Sequence, residues 1–400
     1  MKELIEPSEA RQRIAAHLPN IPTIDCPVDK CAGRALRQNI VTDRPFPPFD
    51  RSMMDGYALR ASDAKHGLTL KLTGMATAGA PRISNGEGPN DCVEIMTGAI
   101  LPEMADCVVP YENTERTDDG QIRLTDEAPI HPGDFIHRKG SDFDAGAALL
   151  QTGQKIGSRE VAAAATCGYA KLKVSKIPRI AIACSGDELV AVDQKPEPHQ
   201  IRRSNDSCIE TGLARIHLNA EKKVHLPDEP EIVYSKLKSL IEQNDFVILS
   251  GGISMGKKDF IPETLDELGL TCHFHGIAQK PGKPMGYWTT NHCAVFALPG
   301  NPLSTLTCLH HYVIPALEKA LGLDSADSHQ SVLLNKSESV RKDTTVFLPV
   351  AVGSNNTASP CQPQNSGDLV RILQSNGYIM VPPGEAEATQ GKAYTFYPWH

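Results

Sequence analysis

The sequence predicts a multidomain α/β protein carrying additional β-rich modules, and three observations lead to that expectation. At 400 residues the chain exceeds what one hydrophobic core ordinarily serves, so about two to four domains are expected. From 177 to 323, short apolar runs alternate with segments of helical periodicity, the pattern of a doubly wound sheet. On either side, at 46–144 and 324–400, short β-like runs are separated by glycine, proline and asparagine.

Composition narrows the function classes. The 40 basic and 48 acidic residues give a formal charge of −8, without the basic excess that nucleic-acid binding requires, so no nucleic-acid partner is expected. Eleven cysteines include no C-x-x-C pair, and several sit inside apolar runs, as buried thiols of a reducing compartment do. The N-terminus MKELIEPSEARQRIAAHL lacks the basic flank and apolar block of a signal peptide. No apolar run reaches membrane-spanning length. A soluble, cytoplasmic protein with no membrane partner is the expectation.

Taken in order, Ser8 caps a first amphipathic helix in which Ala10, Ile14 and Leu18 recur at four-residue intervals, with Pro19 as its stop. Residues 20–50 are proline-rich and read as an extended connector. A β-rich module follows, with runs near 68–74, 92–97 and 107–110, extending through RKGSDF. Within it, Asp55-Gly56 reads either as a turn or as a site element, and Arg138, Lys139 and Asp142 around Gly140 either as a solvated charge cluster or as a second one. The run GSREVAAAATC reads as a helix capped by Ser158 and stopped by Gly168. It looks like part of the first helical body, which makes the β-rich module an insertion. The expected organisation is a discontinuous domain at 1–45 and 145–176, an inserted domain at 46–144, an α/β domain at 177–323 and an all-β domain at 324–400.

In the α/β segment, strand 179–184 enters Ser185-Gly186-Asp187-Glu188, and strand 246–249 enters SGGISMG. A strand near 271–277 meets Lys280-Pro281-Gly282-Lys283-Pro284, and strand 293–298 enters Pro299-Gly300-Asn301-Pro302. Helices are expected at 206–216, 230–243, 262–268 and 303–321. Ligands of such sheets collect beyond the carboxyl ends of the strands, so four unusual loops share one rim. His273 and His275 fall on one strand face, but no third ligand lies nearby, and they read as structural.

The rim combines two chemistries. Gly251, Gly252 and Gly256 let backbone amides approach a phosphate or pterin, while Lys280 and Lys283 add positive charge in a proline-flanked loop. Pro302 suits a first helical turn, which places Ser304 near a helix N-terminus: either a proline-stiffened β–α turn or an oxyanion site. Asp187, Glu188 and Asp259 are hard carboxylates of the kind that recruit magnesium to phosphates. The combination suits a phosphoanhydride handled with a divalent cation. No G-x-x-x-x-G-K-[ST] occurs, which disfavours an ordinary P-loop nucleotidase.

The motifs FDRSMMDGYA, IMTGAILPEMADCVV, RKGSDF, SGDEL, SGGISMGKKDF, KPGKP and LPGNPLS, in this order and across nearly the whole chain, resemble the molybdopterin molybdenumtransferases, that is, MoeA-type proteins and the E domain of gephyrin. The resemblance implies a homodimer of four-domain subunits with a molybdopterin-binding α/β domain and a C-terminal β-barrel-like domain. It implies insertion of molybdenum from molybdate into adenylylated molybdopterin with release of AMP, and magnesium as cofactor. Carried onto this chain, Lys280, Lys283 and Ser304 resemble oxyanion ligands, joined by Arg341 and Ser366. Gly251, Gly252, Ser254, Pro299 and Pro302 complete the substrate-binding set. Glu188 and Asp259 resemble metal-binding or catalytic acids. Asp55, Thr97 and Asp142 resemble catalytic residues that the inserted domain supplies across the dimer. Alternatives in other classes are a non-catalytic cofactor-binding or scaffolding paralogue and a molybdopterin adenylyltransferase; the latter activity would also be a partner. Two positions depart from the family's usual acids: Arg203 in IRRSN and Lys257 in MGKKD. Each changes the local charge by two units.

Overall fold

The computed structural model describes residues 4–84, 86–125, 129–254, 260–324, 330–365 and 367–399. They form two compact units, one comprising Met1–Gln38, Thr152–Ser158 and Lys171–His400, the other Asn39–Gln151 and Arg159–Ala170.

In the larger unit a six-stranded sheet runs in the order Lys222–Leu226, Ile180–Ser185, Phe246–Ser250, Ala294–Leu298, Gly286–Thr289, Thr271–His275. Its first four strands are parallel and the last two antiparallel. The two-residue side-chain period shows directly in the core. Ile180, Ile182, Phe246, Ile248 and Phe296 pack on one face with the helix Asn205–Arg215 and the helical run that starts at Pro302. Ala181, Ala183, Val247, Leu249 and Val295 pack on the other with Pro230–Gln243 and Ile261–Glu267. Each such Ile, Leu or Phe contributes roughly 1.5–3 kcal/mol by leaving water. Both faces are covered, which is the expected doubly wound arrangement.

Several local expectations are corrected. Strands Lys222–Leu226 and Gly286–Thr289 have no counterpart in the sequence reading. The first is an edge strand whose two lysines are exposed; the second is a four-residue return within a hairpin, too short for its period to register. The helix after Pro302 is not uniform: α-helix Pro302–Cys308 passes into a π-turn at Leu309–Val313 and resumes at Ile314–Ala320. The first helix is Pro7–Ala16, with Pro7 at its start and Glu6 at the cap position, so Ser8 lies inside it. The segment read as a connector contains strand Thr23–Pro27, which pairs antiparallel with Lys171–Ser175.

The C-terminal part of this unit is a closed five-stranded barrel. Thr345–Val352 pairs with Thr357–Pro360 and Gly377–Val381, and the circuit closes through Gln330–Leu334 and Ala393–Pro398. A sixth, two-residue strand, Gln279–Lys280, lies parallel to Thr345 and Val346. The proline-flanked lysine loop is thereby hydrogen-bonded to the barrel.

The smaller unit is built on a six-stranded mixed sheet ordered Cys107–Pro110, Gly56–Leu59, Asp91–Ile95, Thr69–Ala76, Ile122–Leu124, Thr114–Arg116. Gly56 opens a strand here, and a Cβ at this position would collide with the Val109 carbonyl oxygen. All eleven cysteines are free thiols. Among the described residues no helix is long and apolar enough to cross a membrane.

Candidate functional site

The four loops do converge. Beyond the carboxyl ends of the parallel strands lies a cavity of about 420 Å³, lined by Ser185, Gly186 and Glu188 from the first loop, Ser250–Ser254 from the second, Pro284 from the third and Pro299–Pro302 from the fourth. Arg203, Asn205 and Asp228 also belong to its wall. Local backbone explains the glycines: Gly251 and Gly252 hold φ of +91° and +67°, and a Cβ on Gly251 would stand 2.6 Å from the Ser185 carbonyl oxygen. The glycines therefore serve close loop packing as well as any ligand.

Polar side chains fix the loops to one another. Asn205 Nδ2 donates to Gly300 O at 2.7 Å and to Ser250 Oγ at 2.9 Å, and Thr305 Oγ1 donates to Pro299 O at 2.7 Å. His275 Nε2 donates to Ile253 O at 2.8 Å, which anchors the glycine-rich loop. His273 Nε2 instead meets Thr289 Oγ1 at 2.7 Å, so the two histidines have separate structural partners. Burial pushes the Cys184 thiol up to about 12, leaving it protonated on the cavity wall.

The acids divide differently from the sequence reading. Glu188 lines the cavity, but Asp187 Oδ1 accepts the Asp228 backbone N–H at 2.9 Å, and Asp187 is not part of the wall. Asp228, which follows an edge strand with no sequence signal, takes its place. Asp259 and Lys257 lie outside the described residues, as does Gly256. Among the described residues no three His, Cys, Asp or Glu side chains form a metal cage. Magnesium commonly uses only one or two protein carboxylates and fills its remaining positions with water and phosphate oxygens, so Glu188 and Asp228 beside room for a phosphate fit that ion. Arg203 also faces this space. Its Nε lies 3.7 Å from Asp206 Oδ2, and its side chain is three-quarters buried, with 25% exposure.

A second cavity, of about 220 Å³, lies between the lysine loop and the barrel. Lys280, Pro281 and Leu303 line it together with Ser339–Arg341, Val346–Pro349 and Gln362–Asn365. Arg341 pairs with Asp343 at 3.2 Å. That hydrogen bond, with Arg341 and Lys283 charges nearby, holds the Asp343 carboxyl below its ordinary range. Lys283 and Arg341 are exposed. Ser304 is buried in the first helical turn and lines neither cavity, contrary to a direct ligand position in this conformation. Ser366 lies outside the described residues.

In the smaller unit, Asp55 and Thr97 form a pair. Asp55 Oδ1 accepts the Thr97 backbone N–H at 2.6 Å and the Thr97 hydroxyl at 2.8 Å, and these bonds hold the carboxyl below its ordinary range. Asp142 belongs to a separate chain: Arg51 donates to His137 Nδ1 at 3.2 Å, so Nε2 carries the ring proton and donates to Asp142 Oδ1 at 2.9 Å. The neighbouring Arg138 and the Lys139 amide both donate to Asp50, at 2.9 and 2.7 Å. Within RKGSDF, Arg138 is thus paired with Asp50 and Asp142 is hydrogen-bonded to His137, both inside the same unit.

Comparison with known proteins covers nearly the whole chain. Residues 5–168 match the MoeA N-terminal region (domain I and II), 181–319 a probable molybdopterin binding domain, and 333–399 the MoeA C-terminal region (domain IV). A molybdopterin molybdenumtransferase of Synechocystis sp. is 37% identical over 99% of this chain and 100% of its own length. Another, from Bacillus subtilis, is 30% identical over 90% of this chain and 86% of its own. Among solved structures, the molybdopterin biosynthesis MoeA protein from Pyrococcus horikosii superposes with a TM-score of 0.83 and 27% identity, covering 100% of both chains.

Proposed function

This chain belongs to the molybdopterin molybdenumtransferase (MoeA) family and is a transferase of molybdenum cofactor biosynthesis, and from that premise we propose that it inserts molybdenum from molybdate into adenylylated molybdopterin with release of AMP. The observation that supports this reading best is the sharing of loops between the two cavities. Pro284 and Pro302 border the larger cavity, while their near neighbours Lys280, Pro281 and Leu303 border the smaller. An oxyanion and a phosphoanhydride bound on either side of these loops would be held close, which is the entropic requirement of a transfer between them.

On this reading the phosphoanhydride occupies the larger cavity, against the amides of Gly251 and Gly252 and the side chain of Ser254. Lys280, Lys283 and Arg341, with Ser366, serve molybdate through charge-assisted hydrogen bonds. Attack by water or a molybdate oxygen at a phosphorus of the anhydride breaks the P–O–P link and AMP departs carrying that oxygen; the substrate's two dithiolene sulfurs then replace oxygen on molybdenum, the displaced oxygen leaving as water with the thiol protons or, where molybdate was the attacking group, on AMP. Glu188, with Asp228 and Asp259, would hold magnesium, which when bound supplies charge neutralisation at the phosphate oxygens. Asp55, Thr97 and Asp142 are catalytic positions of the inserted domain on the same reading. We further propose a cytoplasmic homodimer, supplied with substrate by a molybdopterin adenylyltransferase; light scattering on the purified chain gives the mass that checks the dimer.

Incubating the purified chain with adenylylated molybdopterin, magnesium and molybdate tests the activity. AMP release dependent on molybdate is the expected result. Binding without turnover would instead support a scaffold, and ATP consumption with unadenylylated molybdopterin an adenylyltransferase.

A further inference from the structure

The lysine loop is held from beneath by a buried polar chain. Tyr312, carried on the π-turn Leu309–Val313, donates its hydroxyl to Gln279 Oε1, and Gln279 Nε2 donates to Pro281 O at 3.0 Å. Both residues are about 1% exposed. Gly282 sits directly on this support: a Cβ there would stand 2.5 Å from Gln279 Nε2 and 2.6 Å from Cys308 Sγ. The loop then closes on itself through Met285 N–H to Gly282 O at 3.1 Å and Ile277 N–H to Lys283 O at 2.8 Å. A π-turn inserts one residue into a helix and recurs at functional sites. Here it presents His311 to Tyr378 of the barrel, at 3.0 Å, and the next residue, Tyr312, to the loop.

We propose that Tyr312 and Gln279 are positioning residues that set the oxyanion affinity of the Lys280–Lys283 loop. The inference rests on the reading of that loop as an oxyanion site. Burial drives the Tyr312 hydroxyl far above its ordinary pKa, so it acts as a fixed donor at every working pH. Gln279 accepts that one bond and spends its amide on the loop, so its rotamer, and with it the Pro281 carbonyl, is set from the helix side. Without Tyr312's hydroxyl the Gln279 amide is held only by its donor end, to Pro281 O and weakly to Cys308 Sγ at 3.8 Å, and the support beneath the two lysines flanking Pro281 and Gly282 loosens.

The test compares Tyr312→Phe with Tyr378→Phe in the full-length chain, since both delete one buried hydroxyl but only the first touches the loop. Molybdate binding is followed by calorimetry, and exchange of the Ile277 and Met285 amides by NMR. Tyr312→Phe should weaken molybdate binding about tenfold, the lower end of the loss typical when a group orienting a ligand is removed, and should speed exchange at both amides by a similar factor. Tyr378→Phe should leave both within twofold. Unchanged exchange at Ile277 and Met285 in folded Tyr312→Phe overturns the positioning role. Failure of Lys283→Ala to alter molybdate binding overturns the oxyanion reading instead, and the exchange result still decides whether Tyr312 orders the loop.

Discussion

Asn205 donates its side-chain amide to the Gly300 carbonyl at 2.7 Å and to Ser250 Oγ at 2.9 Å, so one residue at the start of a helix ties two of the cavity loops together. Asn205→Ala removes both bonds; buried Ser250 Oγ keeps Pro299 O and Thr305 Oγ1 as partners, and the exposed Gly300 carbonyl turns to water. A stability loss of roughly 0.5–1.5 kcal/mol follows, read as a lowered thermal midpoint. On the proposed function, the half-saturating concentration of adenylylated molybdopterin should rise, because the loops that form the larger cavity are no longer held in register. A variant with an unchanged midpoint and unchanged half-saturation would show that Ser250 and Thr305 suffice to hold Pro299 and Gly300.

Lys283 is exposed, and its removal should spare the fold. Lys283→Ala is expected to keep its thermal midpoint within the small range of surface substitutions, about 0.5 kcal/mol. The molybdate concentration needed for half-maximal AMP release should rise about tenfold, the loss of one charge-assisted hydrogen bond. Loss of stability with an unaltered molybdate dependence would assign the lysine to structure.

The Asp55 carboxyl is held below its ordinary range chiefly by the Thr97 backbone N–H and then by the Thr97 hydroxyl. Thr97→Val deletes only the hydroxyl, so the Asp55 titration midpoint, followed by NMR, should move upward without reaching the value of a free carboxyl. The sign follows from linkage. A depressed folded-state pKa contributes stability above the unfolded value, roughly 4, and loses it as pH falls through the folded value. The stability gap between wild type and Thr97→Val should accordingly be present at neutral pH and close in acid. A gap that widens as pH falls would contradict the assignment.

Arg203 lines the larger cavity beside Glu188 and Asp228 and is the nearest described cation to buried Asp206. At an effective dielectric of about 20, unit charges about 4 Å apart interact by about 4 kcal/mol, an upper range for its effect on a cation bound there. Arg203→Asp should lower the magnesium concentration needed for AMP release several-fold, with a smaller response at high salt. Because the new acid also faces Asp206, Arg203→Gln is the companion variant, expected to shift the magnesium curve in the same direction by less. Overlapping magnesium titrations for all three proteins at saturating molybdate would exclude an electrostatic role for Arg203.

Much of this protein was legible from its residues alone. Apolar runs such as 180–185, 246–250 and 294–298, each emptying into a glycine- or proline-rich loop, were enough to predict a doubly wound sheet and a shared rim, because side-chain period and turn chemistry are local properties written in consecutive residues. Lys280 and Lys283 stand out for the same reason, locked between prolines. What lay beyond the sequence was long-range. The antiparallel return at Gly286–Thr289, the closure of the barrel and the docking of Gln279–Lys280 on Thr345 and Val346 depend on hydrogen bonds between distant strands. The same holds within the site. Asp187 and Glu188 are adjacent acids with equal claims in the sequence, yet Asp187 caps the Asp228 amide and Glu188 faces the cavity, and Asp228 itself arrives from an unmarked edge strand. Neighbouring side chains in a turn point in different directions, so which carboxylate reaches a cavity is decided by the backbone packed against it. Only the tertiary structure holds that information.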